Sequence, residues 1–162
     1  MAYYDDISEG YDELYRDEQI KKLNIIKSKI KIGKNSKLLD VGCGSGVSSD
    51  FGCFAVGIDP SMGLLKNNKN KMKVRGVAET LPFRDSSFDW VISVTAMHNF
   101  DDAEKSVNEA KRAGKNNFVF SVLKKSKKFD KISGIIHKNF KVYNSVEEDK
   151  DIIFFCRKPD TV

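Results

Sequence analysis

The sequence has few of the residues and segments that mark secreted, membrane-spanning or zinc-binding proteins. Its three cysteines, Cys43, Cys53 and Cys156, are odd in number and form no C-x-x-C pair, which argues against a disulfide framework or a zinc knuckle. No run of about 18 apolar residues is present to cross a bilayer. The acidic start lacks the basic and apolar parts of a signal peptide. These absences predict a cytoplasmic protein with no membrane span and no metal site.

Two parts of the chain carry charge of almost one sign only. Residues 1–20 contain seven acids and one base, whereas residues 111–141 contain ten bases and one acid, within a net charge of +5. A basic block of this kind can hold a polyanion, and it can equally be the solvated face of a helix. Both interpretations stay open at the level of sequence.

The spacing of apolar residues predicts alternating helices and strands. A helical repeat of Leu14, Ile20, Leu23, Ile26 and Ile30 predicts a leading amphipathic helix over about 10–31. Short apolar runs then predict strands at 37–41, 54–59, 73–78, 89–94 and 117–123, with helices between them at 45–51, 61–70, 101–113 and 125–139. Such alternation is typical of a parallel sheet covered on both faces. The last two strands, 140–146 and 151–158, are joined too tightly for a parallel crossover and predict an antiparallel hairpin.

A glycine-rich turn follows the first predicted strand. After Asp40 come Gly42, Gly44 and Gly46 at G-x-G-x-G spacing, which differs from the G-x-G-x-x-G of dinucleotide-binding proteins. Asp59 stands nineteen residues beyond Asp40, at the end of the second strand, where an acid can accept hydrogen bonds from both hydroxyls of a ribose. The turn and this acid predict an adenosine-containing ligand in the crevice at the carboxyl ends of the strands. Asp59 is expected to be exposed to that crevice.

Three stretches, LLDVGCGSG, VGIDPSMGLL and GVAETLPFRDSSFDWVIS, together with the closing hairpin, resemble the class I S-adenosylmethionine-dependent methyltransferases. The likeness covers essentially the whole chain and is to the type 11 methyltransferase-domain group in particular, including small archaeal-type members. It implies an α/β fold with a Rossmann-like, seven-stranded, mostly parallel sheet, a C-terminal antiparallel hairpin and helices on both faces. It also implies a single methyltransferase domain over 1–162, with a leading helical segment at 1–35 and a cofactor-binding core at 36–162. The cofactor would be S-adenosyl-L-methionine.

The resemblance further implies roles for residues that match the family's motifs. The methionine part of the cofactor would lie over the glycine turn, at Gly42, Cys43, Gly44 and Gly46. The ribose would be held by Asp59, and the rest of the adenosine would be flanked by Pro60, Ser61, Met62, Ala78, Glu79 and Leu81. The end of the fourth strand would contact cofactor and substrate through Ser93, Val94 and Thr95. In the leading segment, Tyr11 would cover the cofactor.

The chain departs from the family's pattern in three places. Val77 stands where an acid commonly follows the glycine of the third-strand motif, so adenine recognition must depend on backbone groups or on Glu79. The stretch between Gly46 and Asp59 is about a helical turn shorter than usual, which predicts only a stub of helix there. The usual Leu-x-Pro-Gly-Gly before the fifth strand is replaced by a segment in which Gly114 is the predicted end of the preceding helix.

Methyl transfer from a sulfonium needs in-line approach more than acid–base chemistry, so no catalytic signature is required. His98, which follows the fourth predicted strand, is a candidate general base for an acceptor that must lose a proton. The alternative is a histidine that only lines the cleft or caps the next helix. The chain also lacks the Asn-Pro-Pro-Tyr motif, which disfavours the amide- and amine-modifying branch of the family.

Three functions remain open at this level. The basic block at 111–141 favours RNA or a translation factor as the methyl acceptor, and a small metabolite is the alternative acceptor. The third function is that of a non-catalytic, cofactor-binding partner subunit of another methyltransferase. The resemblance to small archaeal-type RNA modifiers implies a small zinc-binding activator subunit as a partner. The third strand, which the family places at a margin of the sheet, would give that partner an edge for docking.

Overall fold

The computed structural model describes residues 8–161 and, from Arg16 onward, their side chains. The helices are α1 (Ser8–Lys29), α2 (Met62–Asn67), α3 (Ala103–Ala113) and α4 (Phe129–Asn139), and two short 3₁₀ helices lie at Val47–Ser49 and Met97–Asn99. The strands are β1 (Lys37–Val41), β2 (Phe54–Asp59), β3 (Met72–Arg75), β4 (Phe88–Val94), β5 (Gly114–Leu123), β6 (Lys141–Glu147) and β7 (Asp151–Arg157).

The seven strands pair in one sheet in the order β3–β2–β1–β4–β5–β7–β6. The first five strands pair in parallel, whereas β7 runs antiparallel to β5 and β6 runs antiparallel to β7. Only residues 148–150 separate β6 from β7, and so short a link joins antiparallel strands but cannot make a parallel crossover. The predicted α/β fold class, with its C-terminal antiparallel hairpin, is confirmed.

Helices cover both faces of the sheet. Successive side chains of a strand point to opposite faces, so the buried strands present apolar side chains on both sides. On one face, Ile26 of α1 packs in a cluster that includes Leu38. On the other face, Val107 of α3 and Ile136 of α4 pack in a larger cluster that includes Leu39. Within residues 8–161, none of the helices is both long enough and apolar enough to cross a bilayer.

The stretch after the glycine turn contains only the 3₁₀ helix Val47–Ser49, where sequence spacing predicts a helix over 45–51. Gly46 and Gly52, both at positive φ, lie on either side of it. The residues between these two glycines are too few to build the repeating i to i−4 hydrogen bonds that stabilise an α-helix. The predicted stub of helix is therefore confirmed.

The third strand is shorter than predicted and lies at the margin of the sheet. It covers Met72–Arg75 instead of 73–78, and it pairs only with β2. The N–H of Gly76 donates to the carbonyl of Asp59 at 3.1 Å, and the chain then leaves the sheet. Residues 76–79 are thereby free to form one wall of the cleft described below.

Gly114 ends α3, as predicted, and begins β5. Its N–H donates to the carbonyl of Ala110, and its backbone is extended rather than left-handed. A Cβ at this position would lie 2.6 Å from Cε1 of Phe118 and 2.8 Å from Cγ2 of Val91. The glycine is thus required by close packing between the helix end and the sheet, which its sequence position alone does not reveal.

Candidate active site

The carboxyl ends of β1, β2 and β4 and the segment after β3 surround a cleft of about 690 Å³, counting its open mouth. The sheet order reverses between β1 and β4, and open α/β sheets bind ligands at the carboxyl ends of the strands at such a switch point. The cleft is lined by Gly42, Gly44, Ile58, Asp59, Pro60, Ser61, Leu64, Gly76, Val77, Ala78, Glu79, Thr95, Ala96, Asn99, Phe100 and Asp101.

The glycine turn packs against both neighbouring strands. The N–H groups of Gly42 and Cys43 both donate to the carbonyl of Ile58, at 2.8 and 3.1 Å. Gly42 has a φ of +78°, and a Cβ there would lie 2.5 Å from the Cβ of Ala96. Only glycine allows this left-handed turn and this close approach together. The turn thus joins the ends of β1, β2 and β4 in one rigid floor.

Asp59 is buried, with a relative exposure of 7%. Its Oδ2 accepts the N–H of Gly44 at 3.0 Å, and its Oδ1 accepts the N–H of Ser61 at 2.8 Å. Ser61 in turn caps α2, because its Oγ accepts the N–H of Leu64. The expectation that Asp59 is an exposed acid is wrong, because its carboxylate is buried and accepts two backbone N–H groups, although the residue does line the cleft. Each carboxylate oxygen can accept more than one hydrogen bond, so the residue can still receive ribose hydroxyls.

Asp40 is fully buried behind the glycine turn. Its Oδ2 accepts the hydroxyls of Ser48 and Ser49 at 2.7 and 2.6 Å, while its Oδ1 has no hydrogen-bond partner among the described residues. Burial raises the pKa of this carboxyl to about 6, although the two serine hydrogen bonds lower it. Sequence reasoning used Asp40 only as the end of a strand, and nothing local to it indicates a perturbed acid.

Eight of the sequence-predicted site residues line the cleft together: Gly42, Gly44, Asp59, Pro60, Ser61, Ala78, Glu79 and Thr95. They come from four separate segments, which meet because parallel strands present their carboxyl ends at the same edge. Glu79 also accepts the N–H of Asp102 at 3.2 Å, which connects the segment after β3 to the start of α3. The side chain of Tyr11 lies outside the described residues.

Six other predicted residues lie off the cleft wall: Cys43, Gly46, Met62, Leu81, Ser93 and Val94. Cys43 is buried between β2 and α2, since a Cβ on Gly57 would lie 2.6 Å from its Sγ. Burial raises the pKa of its thiol well above the usual range, so it is an inert packing residue. Val94 packs in the core under α1, and Met62 points to solvent.

The segment after β4 contributes residues that sequence reasoning missed. Ala96, Asn99, Phe100 and Asp101 line the cleft, whereas the motif comparison put the contacts on the strand end itself. Val77, noted only as a departure from the family's acid, also lines the cleft and is exposed. The valine side chain can pack against an aromatic ring of a ligand, whereas the acid common in the family would accept a hydrogen bond.

His98 does not line the cleft. It lies half-buried in the 3₁₀ helix Met97–Asn99, and its Nδ1 is buried without a hydrogen-bond partner among the described residues. Burial lowers the pKa of its imidazole, although the charge of Asp151 acts in the opposite direction. The ring is therefore neutral near pH 7, and its role as a general base stays a prediction.

The comparison with protein families identifies the domain. A model of the type 11 methyltransferase domain matches residues 39–122, from β1 to β5. The chain belongs to this family. The expectation of a class I methyltransferase domain that uses S-adenosylmethionine is thereby confirmed for the family and its cofactor.

Relatives and solved structures agree with this family. An uncharacterised protein of Methanocaldococcus jannaschii is 35% identical over 159 aligned residues, covering 93% of this chain and 62% of that protein. The 18S rRNA (guanine(1575)-N(7))-methyltransferase of Saccharomyces cerevisiae is 33% identical over 106 residues, covering 58% of this chain and 38% of that protein. The chain thus spans less than two thirds of the length of either relative.

A chain from the complex between the Haloferax volcanii Trm112 methyltransferase activator and a methyltransferase superposes on this structure with a TM-score of 0.82. The match covers 97% of this chain and 98% of that chain, at 15% sequence identity. At this identity the likeness shows the shared fold.

The buried Asp40 carboxyl predicts how stability depends on pH. Its pKa rises from the ordinary value of 3.8 to about 6 on folding, so the folded state binds more protons than the unfolded state between these values. The free energy of unfolding therefore falls as the pH rises through this window, by about 3 kcal/mol for a shift of two pKa units. Asp40→Asn removes this titration, so the variant should gain stability relative to wild type between pH 4 and pH 7, measured by urea denaturation.

Asp89→Asn is the matched control for this prediction. The N–H of Lys37 and the nearby Lys115 hold the pKa of Asp89 below its usual range, so its carboxylate stabilises the folded state once the pH exceeds the unfolded value. The control should therefore be less stable than wild type by a nearly constant amount between pH 4 and pH 7, whereas the advantage of Asp40→Asn should grow with pH over the same range. A difference between Asp40→Asn and wild type that does not change with pH would contradict the raised pKa.

Proposed function

We propose that the protein is a cytoplasmic S-adenosylmethionine-dependent methyltransferase, with residues 1–162 acting as one domain. The observation that supports this most is the meeting of the glycine turn with the Asp59 carboxylate at the floor of one cleft. The cofactor would supply a methyl group already activated on a sulfonium. The protein's task is then to hold the donor and admit an acceptor in line with it.

The residues of the cleft fit such a ligand segment by segment. Asp59 would accept the ribose hydroxyls while it keeps its two backbone donors. Val77 and Ala78 would contact one face of the adenine. The backbone of Gly42 and Gly44, which carries no side chain to obstruct it, would pass beneath the methionine part. The methyl group would then lie toward the end of β4.

Asp59→Ala tests the cofactor site. Charge-assisted hydrogen bonds contribute about 1.5–3 kcal/mol each, so losing one net bond to the ribose should weaken S-adenosylhomocysteine binding about ten- to a hundredfold, measured by calorimetry. Because Gly44 and Ser61 lose their acceptor as well, thermal stability should also fall, and the titration must be run where the variant is folded.

Asp102→Ala is the control for this variant. The side chain of Asp102 accepts the N–H of Lys105 and caps α3, outside the cleft wall, so its removal should lower stability without changing affinity. Binding by Asp59→Ala within twofold of wild type would overturn the ribose assignment. If the wild-type protein binds neither S-adenosylmethionine nor S-adenosylhomocysteine at millimolar concentration, the proposed methyltransferase function is wrong.

RNA or a translation factor is the proposed methyl acceptor. Lys125, Lys127 and Lys128 are exposed and directly follow β5, at the same edge of the sheet as the cleft. One of the relatives is an rRNA methyltransferase. A small metabolite is the alternative acceptor, and a non-catalytic, cofactor-binding partner subunit is the alternative function.

Salt dependence distinguishes these acceptors. RNA binding releases counterions, so affinity should fall steeply with salt, and each lost phosphate contact should reduce the logarithmic slope by about 0.7–0.9. A variant with Lys125, Lys127 and Lys128 changed to alanine should therefore show a shallower slope than wild type in filter binding to RNA of the source organism. The control changes Lys29, Lys31 and Lys34, which are exposed near the start of β1.

Labelled methyl transfer from S-adenosylmethionine completes this test. Label should enter the RNA fraction, or a translation factor in the protein fraction, of the source organism. Label that enters only the small-metabolite fraction would overturn the RNA proposal, and no label in any fraction would favour the non-catalytic function.

A small zinc-binding activator is the proposed partner, docked on the free edge of β3. This strand pairs only with β2, and an unpaired edge can accept a strand from another protein. Met72 on β3 and Phe54 on β2 are large exposed apolar side chains beside that edge. A protein of the same fold occurs in a complex with the Trm112 activator. Lys71 and Lys73 argue the other way, since edge lysines discourage strand pairing.

Co-purification from the native source tests the partner. The protein should retain a small zinc-containing chain, and Met72→Asp should lose it because a charge would be placed in the apolar contact. Tyr143→Asp, an exposed position on the opposite edge strand β6, should retain it. Recovery of the protein without any such chain would contradict the proposed partner.

A further inference from the structure

Thr95 is held in a strained backbone conformation at the wall of the cleft. Its φ is +50°, in the left-handed region that β-branched residues rarely adopt. Within the described residues, Ser86 is the only other non-glycine residue with positive φ, and it does not line the cleft. Conformations of this kind persist only where surrounding contacts enforce them.

A buried polar network supplies those contacts. The Lys22 ammonium donates to Thr95 Oγ1 at 2.8 Å, and Thr95 Oγ1 donates to Asp151 Oδ2 at 2.7 Å. Ser121 Oγ also donates to Asp151 Oδ2, at 2.8 Å, while the N–H of Thr95 donates to the backbone carbonyl and Oγ of Ser121. The Lys22 ammonium lies 3.2 Å from Asp151 Oδ1, and these two side chains are 1% and 0% exposed. The hydroxyl and the N–H of Thr95 are thus both engaged.

The network determines where the next residues lie. Thr95 and Ala96 both line the cleft, and Ala96 packs so closely against the glycine turn that Gly42 has no room for a Cβ. A Thr95 that relaxed to an ordinary conformation would redirect the chain at Ala96 and open this contact. The wall beside the glycine turn therefore depends on side chains from α1, β5 and β7.

We infer that Lys22 and Asp151 are positioning residues for methyl transfer, because their ion pair holds Thr95 in the left-handed conformation that shapes this wall. This inference rests on the proposed function. Stability alone is a poor reason for the pair, since a buried ion pair often stabilises a fold no better than apolar residues of the same size.

Lys22→Met tests this inference, with Lys21→Met as the matched control. Methionine keeps the apolar stem but cannot donate to Thr95, so the fraction of molecules with a competent cleft should fall, and apparent affinity falls with that fraction. S-adenosylhomocysteine should bind Lys22→Met about tenfold more weakly than wild type in calorimetry. Lys21 is the exposed neighbour on the same helix, and its variant should bind as wild type does.

Variants of Thr95 distinguish a positioning role of the network from a role in stability alone. They also test the inference if Lys22→Met fails to fold. Thr95→Ser keeps the hydroxyl and should bind within twofold of wild type, whereas Thr95→Val loses it and should bind about tenfold more weakly. Ile136→Val, buried on the opposite face of the sheet, should lower the melting temperature without changing affinity.

Two outcomes would overturn the inference, and they are distinguishable. If wild type binds S-adenosylhomocysteine and both Lys22→Met and Thr95→Val bind it within twofold, the network is only structural. If wild type binds neither S-adenosylhomocysteine nor S-adenosylmethionine, the proposed function fails, and this inference fails with it.

Discussion

The geometry of the cleft depends on the Asp59 carboxylate. It accepts one backbone N–H from the glycine turn after β1 and one from Ser61, the residue that caps α2. Without this carboxylate, the buried N–H groups of Gly44 and Ser61 would lose an acceptor. The carboxylate therefore holds the glycine turn and the start of α2 at fixed positions relative to the end of β2. A carboxylate is suited to this because its two oxygens accept several hydrogen bonds at once. The same residue can thus shape the site and contact a ligand.

Destabilising features concentrate at the carboxyl edge of the sheet. Asp40 is buried with a raised pKa and one carboxylate oxygen without a hydrogen-bond partner among the described residues, Lys22 and Asp151 form a buried ion pair, and Thr95 has a strained backbone. The cluster under α3 and α4, by contrast, is built of apolar side chains. Proteins commonly accept such local costs at functional sites, where geometry matters more than stability. The stability contributed by the apolar cluster under α3 and α4 offsets the cost of the buried polar and strained groups at this edge.

Much of the fold could be predicted because its signals are local. The strands at Lys37–Val41 and Phe54–Asp59 have the bounds that their apolar runs and flanking turn residues indicate. The third strand was predicted too long, because leaving the sheet at Gly76 is decided by the edge position and the contact with Asp59. About half of the predicted cofactor residues line the cleft. Of the others, Cys43, Leu81, Ser93 and Val94 belong to the motifs but are buried away from the cleft, whereas Met62 is exposed to solvent.

The sequence by itself determined the order of helices and strands, the parallel sheet with its closing hairpin, and the family, since periodicity, link length and motif spacing are readable along the chain. Only the tertiary structure decided that Asp59 is buried, that Phe100 faces the ligand cleft, and that His98 does not. It also decided that Lys22 meets Thr95, which lies 73 residues away. Contacts of this kind depend on which strand ends become neighbours and how side chains pack between them. Neither is encoded in any short stretch of residues.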